Sequence, residues 1–341
     1  MDKMEQKPRV HIIATGGTIA GTAGDASATV GYKAGELTVD QLIGSVPGLE
    51  DLAELSGEQL CNIDSKDMQE SIWLRLAKHV SEAAARKDVD GIVITHGTDT
   101  LEETAFFLQL ALNTDKPIVL TGAMRPATAI SADGPMNIWQ SVRVASDKKA
   151  TGRGVLVVMN GQIHSATSVT KTDINALEAF RSPGEGPAGV IVSNTVFWHK
   201  DNTNVLSCKN KFKFSTEGLS RLPKVRIIYG HVGCDDDLFV RAALTDGAKG
   251  LVYAACGNGS VPENLKEIFE SVIASGVPVV IATRCGEGIV MLPEPMTKDG
   301  FIASGPLNPQ KAKILLQLAL TKTKDVKEIR KLAESMGVAV L

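Results

Sequence analysis

The sequence predicts an α/β protein built from two α/β domains with mostly parallel sheets, a larger N-terminal domain and a smaller C-terminal domain. Three observations predict this class. Strand-like and helix-like segments alternate along the chain, the 341 residues exceed what one hydrophobic core usually holds, and only 4% of the residues are aromatic. We therefore predict an N-terminal domain over residues 1–200, a linker over 201–224 and a C-terminal domain over 225–341.

The N-terminal domain contains apolar runs that are typical of buried strands, at residues 10–14, 91–95, 118–121, 155–159 and 189–192. Apolar side chains at helical spacing predict a helix within residues 70–87. Thr100 and Glu103 form a capping-box pattern ahead of a helix over 105–112. Asp133-Gly134-Pro135 opens a further helix, which runs to about Ser146.

The segment after this alternation, His199 to Lys224, is polar and charged, and this composition predicts a linker. We interpret the basic cluster at residues 209–213 as a part of that linker exposed to solvent. The alternation then resumes, with strands predicted at 225–229, 251–255 and 277–283 and helices at 309–320 and 326–336. Ser260 and Glu263 form a second capping-box pattern.

Charge and cysteine content limit the classes of partner. The formal net charge of -3 provides no field that would gather nucleic acid or an anionic membrane, so we expect a small-molecule substrate. Five widely spaced cysteines predict free thiols and no metal site, and no apolar run is long enough to span a bilayer. We expect a cytoplasmic protein as the chain stands, or a periplasmic one if a signal peptide was removed.

Two threonine-rich motifs, residues 15–20 and 96–100, each follow a predicted strand directly. If strands 10–14 and 91–95 lie parallel in one sheet, their carboxyl ends bring hydroxyls, a carboxylate and backbone amides to one crevice. Acyl transfer by a threonine needs its hydroxyl, a nearby base and hydrogen-bond donors to the oxyanion, and these motifs contain such groups. The glycines at 16, 17 and 21 lack the pattern of a nucleotide-binding loop, which disfavours that alternative.

The chain resembles the bacterial L-asparaginases of the type II class in seven motifs. These lie at residues 14–21, 57–59, 94–100, 122–125, 131–135, 169–172 and 307–310. The resemblance implies hydrolysis of L-asparagine to L-aspartate and ammonia, a weaker glutaminase activity, no cofactor, and a homotetramer formed as a dimer of close dimers.

The resemblance also implies roles for individual residues. Thr18 is the implied nucleophile. Thr98 is the second active-site threonine, and Lys171 and Asp99 complete its triad. Tyr32 is the loop tyrosine that orients or deprotonates the nucleophile. The implied substrate-binding residues are Ser65, Asp99, Asp64 and Gly17, with Asn258 and Glu294 approaching from a neighbouring subunit. Asp64 and Lys66 stand where the family more commonly has glycine and glutamine.

From the residues alone, each of these side chains also has an ordinary structural reading. Lys171 could be a surface lysine, Tyr32 a packing aromatic, Ser65 a helix cap, Asn258 a tight-turn residue and Glu294 a surface glutamate. Two other functions stay open as well. One is an amidotransferase subunit that releases ammonia, and the other is an amino-acid-binding protein without catalysis.

Overall fold

The computed structural model describes residues 6–27, 30–199, 213–234 and 236–335. The chain forms two compact units, Met1–Glu217 and Gly218–Leu341. Residues 201–212 of the predicted linker, and with them most of the basic cluster, lie outside the described residues, so the linker and the domain boundaries stay predictions. Within the described parts, no helix is both long and apolar enough to cross a bilayer.

The first unit is built on a large sheet. Its strands are β1 (Arg9–Gly16), β2 (Glu54–Ile63), β3 (Gly91–Thr95), β4 (Ile118–Thr121), β5 (Val155–Met159), β6 (Gln162–Ser165), β7 (Thr170–Lys171), β8 (Phe180–Arg181), β9 (Gly189–Val192) and β10 (Thr195–Trp198). Eight of them form one sheet in the order β10-β9-β6-β5-β4-β3-β1-β2, and β7 pairs with β8 separately. Neighbours from β2 to β5 are parallel, whereas β5-β6, β6-β9 and β9-β10 are antiparallel.

The buried strands of this sheet agree with the predictions. β1 and β3 are adjacent and parallel, with Ala14 opposite Thr95, and this confirms that the two threonine motifs follow neighbouring strands. All residues of β3, β4 and β5 are buried, because helices cover the sheet. We did not predict β2 and β6, since polar residues interrupt them and several side chains of β2 are exposed.

The helices of the first unit are α1 (Val39–Gly44), α2 (Leu49–Leu52), α3 (Glu70–Ala85), α4 (Leu101–Ala111) and α5 (Gly134–Ala145). The predicted helices over 70–87 and from Gly134 are confirmed. The capping box at Thr100 is wrong, because the Thr100 side chain makes no capping bond to α4. Its hydroxyl donates instead to the backbone oxygen of Ser65, at 2.8 Å. A tertiary acceptor has therefore replaced the local one.

The second unit contains a parallel sheet of β11 (Val225–Tyr229), β12 (Gly250–Ala255), β13 (Val279–Thr283) and β14 (Ile302–Ala303), in that order. Its helices are α6 (Leu238–Thr245), α7 (Glu263–Ala274), α8 (Glu294–Lys298), α9 (Pro309–Ala319) and α10 (Val326–Ser335). The capping box at Ser260 is wrong, because Pro262 directly precedes α7 and no side chain caps the helix. The Ser260 backbone bonds to Cys256 instead.

Candidate active site

Two glycines bring the threonine motifs into contact. Gly17 follows β1 with a φ of 84°, a left-handed conformation that favours glycine. A Cβ atom on Gly17 would lie 2.3 Å from the backbone nitrogen and 2.4 Å from the Cα of Gly97, so the two backbones touch. Thr18 and Thr98, the next residue in each motif, therefore start from adjacent points at the carboxyl ends of neighbouring strands.

Thr18 has a tyrosine as its side-chain partner. The Thr18 Oγ1 and Tyr32 Oη atoms are 2.6 Å apart. Thr18 is buried and opens a short 3-10 turn that ends at Ala20. The structure thus places Tyr32 on the predicted nucleophile.

Thr98 has a charged partner. Lys171, which lies in β7, donates to Thr98 Oγ1 at 2.9 Å and to Asp99 Oδ1 at 2.7 Å. The lysine side chain is only 16% exposed and the aspartate side chain 58% exposed. The alternative of a solvent-exposed surface lysine is therefore wrong, and the structure forms the predicted Thr98, Lys171 and Asp99 cluster.

Ser65, which follows β2, forms hydrogen bonds with the second threonine motif, residues 96–100. Its hydroxyl oxygen accepts from the backbone N–H of Asp99 at 3.1 Å, and its backbone oxygen accepts from the Thr100 hydroxyl. Asp64 rather than Ser65 caps the short 3-10 turn here, with its carboxylate accepting from the backbone N–H of Lys66. The same carboxylate pairs with the Lys66 ammonium at 2.5 Å.

Sequence reasoning missed His96, which is fully buried behind the second motif. Its Nδ1 lies 2.7 Å from the Gly97 carbonyl oxygen and its Nε2 2.9 Å from the Thr104 hydroxyl, which accepts from Trp73 Nε1 at 2.8 Å. Because a carbonyl oxygen only accepts, Nδ1 carries the proton and Nε2 accepts from Thr104. Burial lowers the pKa of His96 to about 4, so the ring is neutral near pH 7.

This histidine holds the peptide group between Gly97 and Thr98. Its bond to the Gly97 carbonyl fixes the plane in which the Thr98 N–H points the opposite way. The Gly17 N–H is already bonded to the Ile63 oxygen at 2.8 Å. Within the described residues, we find no acceptor for the Thr98 N–H, so this group can donate to a developing oxyanion. The position of His96 inside the motif was the signal that could have revealed it.

Asn258 and Glu294 lie in the second unit. The Asn258 amide bonds to both the backbone oxygen and the backbone nitrogen of Met291, at 3.2 and 3.0 Å. Glu294 opens α8, where its exposed carboxylate pairs with Lys298 at 2.9 Å. A role for these two residues at the site of a neighbouring subunit stays a prediction.

Comparison with known proteins agrees with the two-domain α/β fold. The family described as "Asparaginase, N-terminal" matches residues 9–204, and the one described as "Glutaminase/Asparaginase C-terminal domain" matches residues 224–332. A crystal structure described as a probable cytoplasmic L-asparaginase from Campylobacter jejuni superimposes with a TM-score of 0.93. It is 45% identical and covers 96% of this chain and 99% of its own.

Curated relatives define the family. The chain is 46% identical to L-asparaginase 2 of Bacillus subtilis over 95% of its own length and 85% of the relative's. It is 42% identical to L-asparaginase 2 of Escherichia coli, with 95% and 92% covered, and 42% identical to the glutaminase-asparaginase of Pseudomonas fluorescens, with 95% and 89% covered. The chain belongs to the asparaginase family.

Proposed function

We propose that this protein hydrolyses the side-chain amide of L-asparagine to L-aspartate and ammonia, with weaker activity on L-glutamine. The names of its relatives support both substrates. One structural observation supports the mechanism: Thr18 and Thr98 each directly follow one of the two glycines that are in contact. Tyr32 contacts Thr18, and Lys171 contacts both Thr98 and Asp99.

The proposed reaction has two halves. The Thr18 oxygen bonds to the amide carbon, its proton passes to a base, and the carbonyl electrons move onto oxygen, where the Thr98 N–H stabilises them. The C–N bond then breaks, the nitrogen takes a proton and leaves as ammonia, and Thr18 remains as an ester of aspartate. Water attacks this ester, the base takes a proton from the water, and the Thr18 oxygen regains a proton as aspartate is released.

The base has to overcome a charge problem. Lys171 can act as a base only after it has lost its own proton, yet its nitrogen lies 2.7 Å from the Asp99 carboxylate. We propose that the substrate ammonium engages Asp99 and that its positive charge then favours the neutral form of Lys171. Tyr32 is the competing base, since its hydroxyl is the one that contacts Thr18.

Binding of the small amino acid is assigned to the rim of the same crevice. Ser65 and Asp99 take the α-carboxylate and the α-ammonium, with Gly17 and Asp64 beside them. We propose a homotetramer, in which Asn258 and Glu294 of a neighbouring subunit complete the site. Light scattering tests this proposal, because the molar mass in solution should then be four times that of one chain. The cytoplasm is the proposed compartment, because the four described cysteines are free thiols.

Ammonia release from asparagine and from glutamine tests the proposed function. We expect product from both, with the larger kcat/KM for asparagine. Release from glutamine alone would favour the ammonia-releasing amidotransferase subunit. Thermal stabilisation by asparagine without any product would favour the non-catalytic binding protein, and both results would contradict the proposal.

A further inference from the structure

Tyr32 lies beside a pair of residues that holds two chain segments together. Thr22 and Lys33 face each other across an antiparallel bridge, with N–H to oxygen distances of 3.0 and 2.9 Å. We call this pair the neck. Because Tyr32 directly precedes Lys33, the neck determines where the tyrosine backbone lies relative to the 3-10 turn that carries Thr18.

The Glu36 side chain contacts both members of the neck. One carboxylate oxygen accepts from the Thr22 hydroxyl, and the other pairs with the Lys33 ammonium. The backbone N–H of Glu36 is itself bonded to the oxygen of Ala20, at 2.7 Å. The carboxylate is therefore anchored on the 3-10 turn that begins with Thr18, and it holds both neck residues from there.

The charge of Glu36 is well suited to this role. The Lys33 ammonium and the Thr22 hydroxyl together lower the pKa of the Glu36 carboxyl, so it is ionised at neutral pH. Lys33 is 81% exposed, and an exposed ion pair contributes little alone. The Thr22 hydroxyl adds a second charge-assisted hydrogen bond to the same carboxylate.

Tyr32 has close neighbours on its other side. A Cβ atom on Gly21 would come within 3.1 Å of the tyrosine ring, so the ring lies against the backbone there. The hydroxyl then reaches Thr18 Oγ1 at 2.6 Å. A shift of the neck by a fraction of this distance would break the contact, because hydrogen bonds weaken steeply outside their normal range.

We propose that Glu36 is a positioning residue for the reaction, which holds Tyr32 against the Thr18 hydroxyl by binding Thr22 and Lys33 at the neck. This inference rests on the proposed function, since it assigns Glu36 to the same chemistry. Within the described residues, the side-chain contacts of Glu36 are with Thr22 and Lys33. Its effect on turnover passes through the tyrosine.

A double-mutant cycle tests this inference. We expect Glu36→Ala to lower kcat for asparagine about tenfold, the factor that corresponds to a lost hydrogen bond to a charged group, with a smaller change in KM. Glu36→Gln should lose less, because its amide oxygen still accepts from Thr22. In a Tyr32→Phe background, which should keep residual activity, Glu36→Ala should cause no further loss.

Two further variants control the experiment. Glu82→Ala removes an exposed glutamate of α3 that pairs with Lys78, and it should leave kcat unchanged. Exchanging the charges, with Lys33→Glu and Glu36→Lys in one chain, should restore part of the activity. Losses that multiply in the Tyr32→Phe background, or a kcat for Glu36→Ala equal to that of Glu82→Ala, would overturn the inference. Thr18→Ala separates the two proposals, because full activity of that variant overturns the proposed function itself.

Discussion

Thr18 and Thr98, the two threonines of the proposed active site, follow neighbouring strands but have different surroundings. Thr18 contacts the Tyr32 hydroxyl, which the neck positions, whereas Thr98 contacts the Lys171 side-chain nitrogen, which pairs with the Asp99 carboxylate. The second motif is also fixed by Ser65 and by the buried His96. This difference supports the proposed roles, in which the Thr18 hydroxyl attacks the substrate and the Thr98–Lys171–Asp99 cluster transfers protons and binds the substrate ammonium.

Removal of either hydroxyl should give the largest effect. We expect Thr18→Ala to lower kcat by about 10⁴-fold or more, and Thr98→Ala by about 10²- to 10⁴-fold, the range of general acid–base catalysis. Mass spectrometry of quenched reactions should detect an acyl group on Thr18 in Thr98→Ala and none in Thr18→Ala. An acyl group found on Thr98 would reverse the assignment.

Removal of the Lys171 amino group should give the next largest decrease in kcat. We expect Lys171→Met to lower kcat by about 10²-fold, because proton transfer is lost, while Asp99 stays sufficiently exposed to tolerate its charge. Lys78→Met, on the exposed face of α3, is the matched control.

The wild-type pH profile tests the proposed role of the substrate charge at Lys171. The pH profile of kcat reports the ionisation of groups in the enzyme–substrate complex, and the pH profile of kcat/KM reports their ionisation in the free enzyme. If the substrate favours neutral Lys171, the basic change in kcat should lie at lower pH than that in kcat/KM. Identical profiles would contradict substrate-assisted activation.

The smallest effect concerns stability. The pKa of His96 is about 4 in the folded chain and ~6.5 when unfolded, so the unfolded state binds the extra proton and stability falls as pH drops through 6.5 towards 4. This histidine should account for roughly 2 kcal/mol of the loss between pH 7 and pH 5. Urea unfolding of wild type and His96→Gln at the two pH values measures it. Equal losses in both proteins would show that His96 is not the cause.

The predictable part of the fold is the part whose pattern depends on local sequence. The sequence predicts β1 and β3 because residues 10–14 and 91–95 are mostly apolar, and the folded sheet buries all of them. It does not predict β2, since this strand lies at the sheet edge and mixes polar with apolar residues. The capping box at Thr100 failed because a distant backbone oxygen, that of Ser65, took its hydroxyl.

The same distinction holds for the site. Motif resemblance indicated Thr18, Thr98 and Lys171, yet the contact between Lys171 and Thr98 joins residues 73 positions apart and needed the fold. His96 has no pattern of its own beyond its place in a motif, because its role depends on Thr104 and Trp73 in two different helices. Glu36 is similar, since only the folded chain brings its carboxylate to Thr22 and Lys33.

The contact between Gly17 and Gly97 limits how this protein can be altered in the laboratory. Any larger residue at Gly17 would collide with main-chain atoms, which cannot rotate away as a side chain can. Mutant libraries aimed at a new substrate preference will therefore lose their active members at this position. Diversity is better directed to Lys66, whose side chain is 64% open to solvent.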